Sequence, residues 1–486
     1  MEPRRDAGES AQRPATTLVS RTCELPESSL VSLLAVRPGP RVVWTAPAEP
    51  DLVGLGVAAE LTTDGPGRFD AVREAATALF ESVDLGADAP AVARPRLLGG
   101  FAFHDEHAPA PPWTGFPGAR FVLPRLQFAR VDGSTWLTVN AVGPEVDSAE
   151  VEADLDAIRA DFDPSPRSPG PAPGYVETER TTSRADWRVQ VEAALSRIAS
   201  GDLEKVALAQ SLSVELGGPF SLSNALANLG ERYPDCFRFA VDPGAGATFF
   251  GATPERLVSV RGSRVETEAL AGSIERGDSP EADERLADAL RDSPKDSHEH
   301  AVVVDAVREQ LEPVAERVQT GERAIRRLAS VQHLRTPITA DLDQPMHVLS
   351  LVQSLHPTPA VGGVPPDVAW QTIEEAETFD RGWYAGPVGW FDAAGDGSFA
   401  VGIRSAVASE SRGATEESAA ERARGEGRPA SRVVRPEGAP RIERASPWPA
   451  SRASLFAGAG IVADSDPDAE WDEVQLKYRP ILDVLE

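Results

Sequence analysis

Lysine is nearly absent from this chain of 486 residues: Lys205, Lys295 and Lys477 stand against 45 arginines. A protein that uses arginine for almost all its cationic surface keeps lysine where arginine fails. An ammonium can lose its proton when desolvated and a guanidinium cannot, so these three positions are candidates for chemistry. Cysteine is as scarce, with Cys23 and Cys236 too far apart in sequence for a metal cluster or a small disulfide scaffold. The charged start, Met1 to Ser10, has no apolar signal-peptide core, and no run of about 18 apolar residues follows, which predicts a cytoplasmic chain without a membrane partner. Positive charge is also in deficit. A net charge of -28 and a pI near 4.7 argue against nucleic acid or an anionic membrane as partner.

What is present is a globular composition, 41% hydrophobic and 26% charged, with an acidic surface. Such an acid-rich, lysine-poor balance suits a halophilic cytoplasm, where screening over a few ångströms tolerates self-repulsion. Residues 1–20 read as a loose tail. Residues 21–162 form the N-terminal part of the fold, with β-like runs at Arg41–Trp44, Gly99–Phe103, Arg120–Leu126 and Thr135–Val142 and a helical stretch at Ala71–Val83. Pro-rich residues 163–174 read as a linker. Residues 175–486 carry nearly all the motifs, with a disordered or peripheral insertion expected at 407–452, where Glu, Arg, Ser, Gly, Ala and Pro dominate.

Ser183 opens an amphipathic helix with Trp187, Val191, Ala194, Leu195 and Ile198 on one face and Gly201 as its stop, so Lys205 sits where helix hands over to strand. The runs Ala247–Phe250 and Val258–Val260 flank Gly251-Ala-Thr-Pro-Glu255 and predict a hairpin with Glu255 beside it. Thr267 to Ser273 ends in small residues that let backbone approach a ligand. Lys295 to His300 begins a helix in which Asp296 and Glu299 have capping-box spacing. His298, His300, His333, His347 and His356 crowd one region, without a zinc-like spacing. Phe379–Trp390 and Ser398–Ala406 read as paired strands that end in Ile403-Arg404-Ser405. After the Gly-rich run Leu455–Val462, Asp466-Pro467 starts a last helix with Glu470, Glu473 and Lys477 along one side. The plain reading of Glu473 and Lys477 is an i,i+4 salt bridge on a solvated face.

In this order and spacing the motifs resemble the chorismate-utilising enzymes, the family of isochorismate, salicylate, anthranilate and aminodeoxychorismate synthases. The isochorismate synthases are the nearest group. Lys205 in Gly-Asp-Leu-Glu-Lys-Val precedes Glu255 in Ala-Thr-Pro-Glu-Arg, whereas anthranilate synthases usually carry glutamine for that lysine. Aminodeoxychorismate synthases usually carry a nucleophilic lysine where this chain has Ala271, and salicylate and anthranilate synthases place a threonine near Ala360. The resemblance implies an α+β fold of antiparallel sheets packed together with helices outside. It implies Lys205 as the base that activates water and Glu255 as the acid that protonates a leaving hydroxyl of chorismate. One Mg2+ would be held by Glu299 and Glu473, with Glu470 beside it through water. Arg404, Lys477 and the backbone of Gly458, Ala459 and Gly460 would bind carboxylate, and Gly272, His333 and Ala360 would shape the ring pocket. No amidotransferase subunit is implied, and menaquinone synthesis is the expected destination of the product. Gln210 departs from the pattern, which usually has arginine there. Two alternatives stay open: a salicylate synthase with the same lysine, glutamate and metal, and a non-catalytic chorismate-binding subunit, disfavoured because Lys205 and Glu255 are both present.

Overall fold

Several strands of the chain are buried at every position, among them Ala119–Leu123 and Thr248–Thr253. Such strands need cover on both faces. The computed structural model, which describes residues 16–86, 89–165, 167–408 and 452–486, supplies it with two large sheets and outer helices, an α+β architecture. Among the described residues one sheet has thirteen strands and the other ten. The first runs from the edge strand Tyr175–Arg180 through Lys205–Leu216, Arg452–Ile461, Ser405–Ala408, Thr248–Thr253 and Phe237–Asp242 to strands of the N-terminal third. The second contains Val331–Leu342, Arg264–Glu275, Arg256–Arg261, Gly397–Val401, Pro387–Asp392 and Arg96–Phe101 as successive neighbours. Pairing is antiparallel except between Thr17–Leu25 and Val83–Leu85. No described helix is long and apolar enough to cross a membrane.

The N-terminal third is woven into both sheets. Arg41–Thr45 pairs with Phe237–Asp242, and Arg96–Phe101 with Pro387–Asp392. Residues 163–174 therefore join two parts of the same sheets. Ser32 Oγ donates to the Ser165 carbonyl at 3.0 Å and the Gly170 amide to Asn224 Oδ1 at 2.8 Å, fastening the segment along the surface.

Four local expectations need correction. The tail ends earlier than residue 20, because Thr17–Ser20 already pair with residues 140–143. Of the insertion expected at 407–452, Val407, Ala408 and Arg452 belong to two strands that pair with each other, and 409–451 lie outside the described residues. The hairpin around Glu255 does not form: Thr248–Thr253 belongs to the first sheet and Arg256–Arg261 to the second. Turn residues announce a change of direction, but not which sheet the chain joins afterwards. Pro387–Asp392 pairs with Gly397–Val401 as expected, whereas Ser405–Ala408 returns to the first sheet and Phe379–Gly386 is a turn-rich segment.

That segment is pinned by aromatic packing between the sheets. Trp113, fully buried, stacks on Phe456 at 5.3 Å and meets Phe249 edge-on at 5.2 Å. Its Nε1 donates to the Asp380 carbonyl at 3.0 Å, and Trp383 Nε1 donates to the Pro117 carbonyl at 2.7 Å. Gly382 passes so close that a Cβ would fall 2.3 Å from the Trp113 ring, and its φ of +53° is left-handed. Gly382→Ala is expected to lower stability by about 1–3 kcal/mol through overpacking and backbone strain. A urea midpoint equal to that of the unaltered protein would disprove this account of the segment.

Candidate active site

The two sheets meet where the chain steps from one to the other, and it does so twice in adjacent places. Thr253 leaves the first sheet, Pro254 and Glu255 cross, and Arg256 enters the second. Val401 leaves the second, Gly402 to Arg404 cross, and Ser405 enters the first. The crossings are tied by Val401 N–H to the Glu255 carbonyl at 3.1 Å and Ala252 N–H to the Arg404 carbonyl at 3.1 Å. Arg404 adopts φ +51°, a strained conformation for a residue with a side chain.

Lys205 begins the strand Lys205–Leu216, is 0% exposed, and places Nζ 2.9 Å from Glu299 Oε1 without the alignment of a hydrogen bond. The opposing strand makes room with glycine: a Cβ at Gly460 would lie 2.2 Å from Glu299 Oε1 and 3.0 Å from Lys205 Cε. Glu299 comes from the helix Pro294–Leu311, which is capped by Ser293 accepting from the Asp296 amide. The cap is thus three residues earlier than Asp296 and Glu299 suggested, and Glu299 is free to turn inward. Lys295 of the same helix reaches Glu470 Oε1 at 2.6 Å. In the C-terminal helix Pro467–Leu485, Lys477 Nζ contacts Glu473 Oε1 at 2.6 Å and donates to the Gly458 carbonyl at 2.8 Å. Glu473 and Lys477 do pair at i,i+4, but inside the protein. Each of the chain's three lysines therefore holds one of three glutamates.

Burial opposes the charge on Glu473, but Lys477 and Lys295 outweigh it and hold the carboxyl below its ordinary value. Burial and the neighbouring Glu473 push Glu470 upward. Burial disfavours the Lys295 ammonium, yet Glu470 more than offsets it, and its pKa is raised. Glutamate oxygens are the right donors for a hard cation, and Glu470 Oε2 is buried with no hydrogen-bond partner. Among the described residues, however, no three His, Cys, Asp or Glu side chains are gathered at metal-holding separation. The donors fit in kind, while ammonium groups supply the compensating charge in this arrangement.

Beside these pairs opens a narrow cleft with a free volume of about 70 Å³. Glu255, Gly272, Glu299, His333, Ala360, Arg404, Gly458, Ala459, Gly460, Glu473 and Lys477 line it. Lys205 and Glu470 stand outside that lining, Lys205 behind Glu299 and Gly460. Burial, then the charge of Glu268, raises the Glu255 pKa from 4.5 to about 7 against the opposing pull of Lys205, Lys477 and the Thr358 hydroxyl. Burial and the cations Arg404 and Lys477 lower His333 to about 3, so its ring is neutral. Arg404 Nη2, which can only donate, lies 3.3 Å from His333 Nε2, leaving the proton on Nδ1 toward the Gly272 carbonyl at 3.1 Å and Ser273 Oγ at 3.0 Å.

The sequence matches the chorismate binding enzyme family over residues 5–415 and 444–486. The chain belongs to that family. It is 34% identical over 456 residues to the salicylate biosynthesis isochorismate synthase of Pseudomonas aeruginosa, covering 92% of this chain and 85% of the relative. It is 31% identical over 459 residues to the isochorismate synthase MenF of Bacillus subtilis, covering 92% and 88%. The solved structure of MenF, the menaquinone-specific isochorismate synthase of Escherichia coli, superposes with a TM-score of 0.75 at 23% identity, covering 98% of this chain and 97% of that one, a likeness of fold.

As a chorismate binding enzyme the chain has further cleft residues that its sequence did not single out. Tyr384 and Arg381 line the cleft. Arg381 donates to the Val361 carbonyl at 2.8 Å and the Ala207 carbonyl at 2.7 Å and pairs with Glu377 at 2.5 Å, while Glu377 accepts from the Ala209 amide at 2.8 Å. This buried pair ties the strand after Lys205 to the segment carrying Ala360; in sequence it looks like any i,i+4 pair. Asp296 approaches Gly272, whose added Cβ would lie 3.1 Å from Asp296 Oδ1. Gln210 is buried with neither amide atom bonded, and nothing in the structure explains it.

The raised pKa of Glu255 has a measurable cost. Below pH 4.5 native and unfolded chains both keep this proton. Between 4.5 and about 7 the unfolded chain ionises first, so stability falls, and above about 7 the loss is complete. Removing the ionisable group while keeping its shape, Glu255→Gln, is expected to raise stability at pH 8 relative to pH 5 by roughly 2–3 kcal/mol against the unaltered chain. Parallel stability curves for the two proteins across this window would contradict a buried, protonated Glu255.

Proposed function

We propose that this chain is an isochorismate synthase that converts chorismate to isochorismate with Mg2+. The observation that carries the reading is a single cleft in which a glutamate that keeps its proton near neutrality, Glu255, stands with Arg404 and Lys477, while Lys205 waits behind Glu299. Released from Glu299 and acting as the neutral amine, Lys205 takes a proton from water as the water oxygen bonds to C2 of the ring. Both ring double bonds shift, C1=C2 to C1=C6 and C5=C6 to C4=C5, the C4–oxygen bond breaks, and Glu255 gives its proton to the departing hydroxyl, which leaves as water. Water enters and water leaves, so the reaction is an isomerisation. Arg404 and Lys477 attract the substrate carboxylates, and the backbone of Gly458, Ala459 and Gly460 completes that contact. Gly272, His333 and Ala360 border the ring, with small groups at 272 and 360 leaving space for water.

Each of the three lysines is already paired with a glutamate, so a dianionic substrate gains from a compensating dication. Glu299 and Glu473 are the residues that would hold Mg2+, with Glu470 near it through water; the ion, when bound, screens the ring carboxylate. For Lys205 to meet water, Glu299 must leave its contact with Nζ. Ala271 in place of a lysine and Lys205 in place of a glutamine favour water over an amine as nucleophile, which removes the need for an amidotransferase partner. Both curated relatives above carry the isochorismate synthase name, one with salicylate biosynthesis, so menaquinone synthesis is the proposed destination only for the product and not for the chemistry.

Purified protein given chorismate and Mg2+ is expected to form isochorismate alone, with activity lost in excess chelator and restored by Mg2+. Lys205→Ala and Glu255→Ala are each expected to lower kcat by about 10²- to 10⁴-fold. Accumulation of salicylate with pyruvate would point to a salicylate synthase, and chorismate binding without turnover to a non-catalytic subunit.

A further inference from the structure

Glu268 lies on the strand Arg264–Glu275, its side chain 3% exposed, and is not among the residues that line the cleft. A buried carboxylate outside the site is commonly a structural ion pair, and its partners decide whether it is more than that. Glu268 Oε1 accepts from the Arg256 amide at 3.1 Å and from Arg326 Nη1 at 3.0 Å, and Oε2 accepts from Arg335 Nε at 2.5 Å. Arg326 Nη1 also donates to the Pro254 carbonyl at 2.8 Å, and its Nη2 to the Asp235 carbonyl at 2.8 Å. The carbonyl before Glu255 and the amide after it are therefore both gripped by one side-chain pair.

The grip replaces what sheet pairing cannot supply at this point. Pro254 has no N–H to give. The pairing of Arg256–Arg261 with Gly397–Val401 shifts register between Arg256 and Val258, where the chain has just left the other sheet. Backbone groups next to the crossing would otherwise be held loosely, and a proton donor must be held in place to act.

Resting on the reading of Glu255 as general acid, we propose that Glu268 and Arg326 are positioning residues for Glu255: they clamp the peptide units on either side of it and set a buried negative charge behind its carboxyl. That charge opposes ionisation of Glu255 and, after burial, contributes most to keeping its proton near pH 7. The opposing cations come from two other elements, Lys205 on its strand and Lys477 on the C-terminal helix. Thr358 contributes a hydroxyl at 3.5 Å, and Arg404, Tyr384, Glu299 and Glu473 line the same cleft. Arg335, with 41% of its side chain exposed, touches Glu268 without touching Pro254, so it changes the charge and leaves the clamp.

The pH dependence of kcat/KM separates this role from a structural one. The unaltered enzyme is expected to lose activity above about pH 7 as Glu255 ionises. Glu268→Gln keeps acceptors for Arg256 and Arg326 but removes the charge, and is expected to move that alkaline limb down by about half a unit to one unit. Arg335→Met leaves the Glu268 charge less compensated and is expected to move the limb up. Loss of plateau activity with an unmoved limb in both variants would overturn the inference and leave Glu268 as a structural residue. Glu255→Gln serves as the control for the underlying reading: an enzyme with normal activity and an unaltered alkaline limb would overturn the acid assignment itself, whatever Glu268 does.

Discussion

The contact between Lys205 and Glu299 is the constraint on which the rest of the cleft depends. Two opposite charges out of water attract strongly, but each lost its hydration to get there, and removing one partner leaves the other buried and unpaired. The local structure is arranged around that pair. Gly460 yields the volume a Cβ would take from Glu299 and Lys205, so the strand opposite cannot carry a side chain there. Ser293 caps the helix six residues before Glu299, which sets the face that carries it inward. The strand Lys205–Leu216 pairs along Arg452–Ile461, so the lysine and the glycine are held on the same face of one ladder.

A second constraint comes from the sheets. Two sheets packed face to face offer buried surface but no opening; an opening forms where strands stop being neighbours. Here the chain crosses between the sheets at Pro254–Glu255 and again at Gly402–Arg404, and the backbones of the two crossings bond to each other. A carboxyl and a guanidinium thus enter the same gap from positions that neither sheet fills. Being off the ladders, both depend on side chains and strained backbone for their aim, seen in the φ of Arg404 and the grip of Arg326 on the Pro254 carbonyl.

How much of this was legible depends on the range of each interaction. The helix Arg184–Ser200 follows from its cap and stop, Ser183 and Gly201, because both act within a few residues. The line of Glu470, Glu473 and Lys477 follows from helical spacing alone. The family resemblance brought Glu255, Arg404, His333 and Ala360 to one cleft, as the fold does. What stayed hidden was long-range. Lys295 meets a partner 175 residues away. Glu377 and Arg381 look like a surface pair until their backbone partners at Ala207, Ala209 and Val361 are known. The crossing at Glu255 resembles a hairpin because proline and glycine fix a turn, while the choice of sheet is made by packing many residues away.

The scarcity of lysine takes on a physical meaning in this setting. An arginine opposite a glutamate tends to bind both oxygens through its planar fork. An ammonium is a point charge and can neutralise a carboxylate through one oxygen only. In the two pairs formed by Lys295 and Lys477 the close contact is to Oε1, as it is for Lys205, and in Glu470 the second oxygen remains without any partner. Lysine therefore pairs with each of the three carboxylates and still leaves oxygen atoms available to a further cation or to water, which a forked guanidinium would occupy. Arginine fills the chain's 45 other cationic positions, at the surface and in buried pairs such as that of Arg381 with Glu377. Of the two guanidinium groups that line the cleft, Arg381 is paired with Glu377, whereas Arg404 faces the neutral His333 ring, so its charge is left for an anion that arrives from solution.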